Sequence, residues 1–158
     1  MKTSWSLAIV TAILGVAPMT AQNIKVGTFH KPSIVVAYYR SQMWADFLKP
    51  KMAELAEAKK ANDIKKAEEL EKWGQAHQET AHQQLTGEAP IANILEALQP
   101  AFPDIARKAQ VEIIAADLQY AGRTVQTVDV TDLLLDWLKA DDRTRKIVHD
   151  LRNSPGHN

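Results

Sequence analysis

Histidine pairs, clustered carboxylates and serines are the residues here that could do chemistry, and their spacing limits what they can do. His77 and His82 stand five residues apart with Glu79 between them. A helix presents two imidazoles to one metal at i and i+4. Five residues turn through about 500°, so these rings diverge by roughly 140° and are expected as solvated side chains. Neither His30, after a strand-like stretch, nor His149, near the C-terminus, has an Asp, Glu or Ser beside it in an evident catalytic arrangement; one assembled in three dimensions stays open. Asp129, Asp132 and Asp136 could form a carboxylate cluster. The first two fall at a strand end and a helix start, where negative charge suits the helix dipole, and Asp136 faces away from Leu134 and Trp137. Ser4, Ser6, Ser33, Ser41 and Ser154 lie outside any G-x-S-x-G elbow. No phosphate loop and no G-x-G-x-x-G is present. No catalytic, cofactor or metal constellation emerges, so enzymatic activity and a bound cofactor are not expected.

The elements that must carry these residues change character along the chain. Residues 22–29 (QNIKVGTF) alternate Ile24, Val26 and Thr28 against Lys25, Gly27 and Phe29, the period of a short strand. His30, Lys31 and Pro32 break it, and Ser33 is a plausible N-cap for a helix over 34–49. Val35, Tyr38, Tyr39, Met43 and Phe47 could share one broad buried face of that helix. Pro50 predicts a kink or a restart.

Residues 51–85 are rich in Ala, Lys, Glu and Gln, strong helix formers. Leu55, Ile64, Leu70 and Trp73 are the only large apolar side chains from Ala53 to Ala81. Such a helix buries a narrow stripe, as an exposed arm or along a thin seam. The heptad begun by Leu48, Met52 and Leu55 stops at Lys59 and Asn62, which disfavours a long coiled coil. Trp73, nearly alone there, either plugs a hairpin seam or offers an exposed apolar contact. The chain can double back at Asn62-Asp63 or at residues 86–90 (TGEAP), whose Gly87 and Pro90 make the firmer break.

Beyond that, Ile91, Ile94, Leu95, Leu98, Phe102, Ile105 and Ala109 keep helical spacing, split by Pro100 and Pro103 into two short pieces. Residues 111–116 (VEIIAA) and 124–130 read as strands. Thr131 then opens a helix whose buried face carries Leu134, Trp137 and Leu138, and Asp141-Asp142 caps a last segment over 143–151. A lone strand near residue 26 is unstable without partners, so the two chain ends have to share a sheet. The fold class is α+β, mostly helical: a small sheet from both ends, with a helical hairpin or arm (about 41–99) inserted between them.

Composition fixes the setting. Nineteen basic residues face nineteen acidic ones, and there is no cysteine. That balance gives no electrostatic footprint for nucleic acid. Residues 1–21 read as a secretory leader, with Lys2 as the positive end and an apolar run over 7–16. The run is short of the roughly 20 residues a membrane span needs. Cleavage after Ala21 would leave a body over 22–152 and a frayed tail over 153–158, with membrane contact at most peripheral; an uncleaved anchor is the alternative. Without disulfides, packing or oligomerisation must hold the exported chain.

The layout and its end motifs resemble the Skp (OmpH) family of periplasmic chaperones. The matching residues are 24–29 (IKVGTF), 111–117, and Asp129-Val130-Thr131 followed by Leu134 and Leu138; KKANDIKKAEELEKW looks like a hairpin tip. The resemblance implies a periplasmic homotrimer, without cofactor or catalysis, that holds unfolded outer-membrane proteins without ATP. Ile24, Val26, Val111, Ile113, Val128, Val130, Leu134 and Trp137 would then form the body core and its oligomer contacts, with Trp73 meeting client or seam. Neutral charge departs from the basic family pattern, and TGEAP, Pro100 and Pro103 interrupt its returning helix. The competing expectation is a non-catalytic envelope scaffold that docks a folded partner through the arm.

Overall fold

In a computed structural model the described residues are 24–153; the expected leader and the tail beyond residue 153 lie outside them. The element order is β1 (Ile24–Thr28), α1 (Lys31–Tyr39), α2 (Gln42–Lys60), α3 (Ile64–Thr86), α4 (Ala92–Leu98), a 3-10 turn (Gln99–Ala101), α5 (Phe102–Ala109), β2 (Ile113–Ala115), β3 (Val125–Asp129), α6 (Thr131–Trp137) and α7 (Asp142–Asn153). Both ends of the chain do contribute to one small sheet, and helices fill the interval.

The sheet has the order β2-β1-β3, and β1 runs parallel to both neighbours. Val26 pairs with Ile113 and Thr127, and Gly27 with Ile114 and Val128. A Cβ on Gly27 would come within 3.1 to 3.3 Å of Val130, Val111 and Ile114. Those side chains close over the strand because the position has none. They mark the face toward the helices, where Phe29, Val130, Leu134 and Leu135 meet Ile34 and Val35 of α1 and Ile94, Leu98 and Ile105 of the 91–109 run. Two crossovers join the parallel strands, α1 to α5 between β1 and β2 and the 116–124 connection between β2 and β3, and the right-handed rule for such crossovers sends them over opposite faces. Val26, which alternation points to the second face, is accordingly buried, whereas Ile24 and Ile113 beside it are exposed.

Several boundaries differ from those read in the sequence. The first helix starts at Lys31, with Pro32 in its opening turn, where a missing N–H is harmless. Ser33 is therefore not an N-cap; it is fully buried inside α1. The helix expected over 34–49 breaks at Arg40-Ser41. There the Ser41 hydroxyl donates to the Tyr38 carbonyl at 2.6 Å and accepts the Trp44 N–H at 3.3 Å, which caps α2. Met43 and Phe47 lie beyond this break and are exposed rather than sharing the buried face. Pro50 lies inside α2 without ending it.

Both suspected reversals are real turns. Asn62 adopts left-handed φ (56°), and the Asp63 N–H reaches the Ala58 carbonyl at 2.9 Å, a helix-ending motif. The Asp63 carboxylate then accepts the Lys66 N–H and starts α3. At the far end Gly87 (φ 82°) repeats the motif through Glu88 N–H to the Gln83 carbonyl. The arm is thus a hairpin of 19 and 23 residues, about 30 Å long at 1.5 Å per residue. It ends near residue 86, not 99: α4 and α5 belong to the body, because Ile94, Leu98 and Ile105 are core residues. Pro100 and Pro103 do divide that run, at a single 3-10 turn.

Candidate functional site

The arm grows from the body through aromatic side chains. Tyr38 and Tyr39 end α1, and Trp44 and Phe47 open α2. Tyr39 meets Trp44 edge to face at 4.7 Å, and Trp44 stacks on Phe47 at 4.9 Å. From α3, Trp73 and His77 complete the row, 4.1 Å apart and each about 6 Å from Phe47. The i to i+3 and i to i+4 spacings put each helix's pair on one side of that helix. Burial raises the Tyr38 phenol above its ordinary pKa, and Tyr39 beside it adds to the shift.

One buried amide fastens the arm's base. Gln84, in the last turn of α3, accepts from the Tyr39 hydroxyl at 2.8 Å. It donates to the Pro90 carbonyl at 2.8 Å and pairs with Asn93 Oδ1 at 2.6 Å. A single side chain therefore ties α1, the 87–90 turn and α4 to the arm. Nothing in the composition of a polar helix sets Gln84 apart from its neighbours, and sequence reading missed it.

Past the aromatic row the hairpin is thinly packed. Among residues of α2 and α3 only Ala58, Leu70 and Gln84 are buried. Met43 (37% exposed), Phe47 (50%), Met52 (59%) and Ile64 (65%) present apolar surface along the arm. Between the helices lies a notch of about 240 Å³ lined by Leu48, Met52, Leu55, Leu70, Trp73 and Gly74, among others. Trp73 thus serves in the seam. His77, expected in solvent, is half buried against it, with Nδ1 2.9 Å from the Trp73 carbonyl. His82 is exposed, and among the described residues no group of three metal-ligating side chains comes together.

A second cluster sits at the C-terminal ends of the parallel strands, where open α/β sheets commonly bind ligands. His30 Nδ1 lies 2.6 Å from Ser33 Oγ, and the His30 N–H donates to Thr131 Oγ1 at 2.9 Å. Asp129 accepts the Thr131 N–H and pairs with Arg152 at 2.6 Å, which bears out its reading as a corner residue. Lys31 pairs with Asp117 at 2.7 Å beside a groove of about 710 Å³. Ser33 and Thr131 are fully buried. A hydroxyl that no substrate can touch is not a nucleophile, so the His30–Ser33 contact is a structural one that closes the start of α1.

The residues assigned from sequence to body core and oligomer contacts divide between the two sheet faces. Val111, Val128, Val130 and Leu134 face the helices, and Trp137 packs partly buried against the same core. Ile24, Val26 and Ile113 belong to the opposite face. Asp136, expected in solvent, is exposed but pairs with Arg145 at 2.6 Å. No helix among the described residues is long and apolar enough to cross a membrane. Compared with protein-family models, with curated proteins and with solved structures, the chain matches none.

Proposed function

We propose that this chain is an ATP-independent holdase of the periplasm that keeps unfolded outer-membrane proteins apart by holding their apolar segments along its helical arm. The observation that carries the reading is the exposure of three large apolar side chains of α2, Met43, Phe47 and Met52, beside an aromatic seam. Methionine is flexible and polarisable, suited to surfaces that accept varied partners, and several large apolar side chains left exposed on one arm are surface a partner can cover. Many weak contacts of this kind would shield a client strand from other strands whose unpaired edges template aggregation. Release needs no nucleotide, because each contact is individually weak.

The same reading includes self-association as a homotrimer through the outer sheet face, where Ile24 and Ile113 are half exposed. Arms projecting from a common body would bring several holding surfaces to one client. Export rests on the leader-like residues 1–21. The test is light scattering from a urea-unfolded outer-membrane barrel diluted into buffer. The mature protein in excess should suppress aggregation without ATP, and undiminished scattering would contradict the reading. Sedimentation of the same sample should give a trimer; a compact monomer would remove the self-association part. Capture of one folded partner with indifference to unfolded chains would favour a scaffold docking through the arm.

A further inference from the structure

Gly74 lines the notch in the arm, and nothing in the fold demands a glycine there. Gly74 stands in the interior of a 23-residue helix, where only proline is less favourable. Its φ is not positive, unlike that of Gly87. A Cβ added there would meet nothing within 4 Å. Neither backbone conformation nor close packing explains the glycine, in contrast to Gly27, whose neighbours close to within 3.3 Å of where a Cβ would be. The position borders the notch, and a side chain placed there would start from open space.

The notch walls are mostly apolar, chiefly Leu48, Met52, Leu55, Leu70 and Trp73, with His77 and Gln78 adding polar atoms. The two charged side chains at its mouth are already paired, Lys51 with Glu54 at 3.1 Å and Glu71 with Lys59 at 2.8 Å. A charged ligand would find no free counter-charge from either, whereas an uncharged apolar group desolvates nothing costly. At about 240 Å³ the space falls below the roughly 300–1,000 Å³ of pockets that enclose whole small molecules. It exceeds the roughly 150 Å³ of a cavity that accepts benzene. One large side chain fits, and Met52, 59% exposed at the edge, can fold over it.

We propose that the notch at Gly74 is an anchor pocket that takes a single leucine- or phenylalanine-sized side chain of a polypeptide held along the arm. The inference rests on the holding role of the arm and adds the chemistry of its strongest contact. A buried apolar anchor surrounded by weak contacts is how a surface of modest area gains affinity.

Fluorescence anisotropy tests it with short, unstructured, fluorescein-labelled peptides that differ only in having Ala, Leu or Phe at one central position. The wild-type protein should bind the Leu and Phe peptides about tenfold more tightly than the Ala peptide, a typical anchor effect. Gly74→Leu fills the notch from within and improves helix propensity. Its melting temperature by circular dichroism should not fall, while its preference for Leu and Phe over Ala should disappear. Gly74→Ala, the milder variant, should keep the fold and lose part of the preference. If Gly74→Leu, folded, retains the wild-type preference and still suppresses barrel aggregation, the anchor pocket is overturned and the holdase reading stands. If the wild-type protein neither binds the peptides nor suppresses aggregation, both fall together.

Discussion

In the body, Ile34, Ile94, Leu98 and Leu134 lose all contact with solvent, whereas α2 and α3 bury only Ala58, Leu70 and Gln84. The two regions use different means to stay folded. The body closes a parallel sheet under helices, with Gly27 admitting the side chains above it. The arm relies on helix-forming residues, on capped turns at Asp63 and Ser41, and on one row of aromatic rings. Apolar surface that the body spends on its own core, the arm leaves available. A holding surface has to be of the second kind, since side chains satisfied within the fold have nothing to offer a partner.

Damage to the two regions should therefore separate. Leu134→Ala removes a fully buried side chain from the body and should cost about 2–5 kcal/mol in urea unfolding. The arm, anchored on that body, should lose its helicity in the same transition. Gln84→Ala strips partners from the Tyr39 hydroxyl and the Pro90 carbonyl and should cost about 1–3 kcal/mol. Because Gln84 joins the regions, hydrogen exchange should quicken in the 84–93 turn first; uniform quickening would deny it a joining role. Ser41→Ala deletes the cap of α2 and should lower stability by about 1 kcal/mol, with Ser41→Asp restoring most of it.

The smallest effect is expected at the start of α7. There the Asp141 carboxylate accepts the Thr144 N–H at 2.7 Å. Its pKa is held below the ordinary carboxylate value, first by the hydrogen bond with the Thr144 side chain and then by that with its backbone. A depressed folded pKa stabilises above the ordinary carboxylate range and loses that contribution as pH falls through the folded value. Asp141→Ala should thus melt lower than wild type at neutral pH, by a margin that closes on acidification. A margin independent of pH would show that charge is not involved.

Much of the body was legible in the sequence, because its signals are local. Alternation around Val26 and Val128 marked strands, and Asp129-Val130-Thr131 marked a corner that the structure reproduces. Turn chemistry marked Asn62-Asp63 and residues 86–90 as alternative places for the chain to double back; both are turns, and the hairpin closes at the first, which had looked the weaker. Other features depend on what stands across a seam. Pro50 looked like a break, yet an exposed position on a long helix tolerates the lost hydrogen bond. Ser41 looked unremarkable until the chain around Tyr38 turned to meet its hydroxyl. Met43 and Phe47 follow the same helical period as core residues, and only the break before Gln42 turns them outward. Gly74 carries no pattern at all; only the structure shows that it shares a notch with Leu48 and Met52.

Hydrogen–deuterium exchange of the protein, alone and with an unfolded outer-membrane barrel, tests most directly the proposal that the arm is a holding surface. Protection should appear over residues 43–55 and 70–78, around the exposed Met43, Phe47 and Met52 and the notch at Gly74, and leave α4 to α6 unchanged. Protection confined to the groove beside Lys31 and Asp117, or none anywhere, would contradict the account.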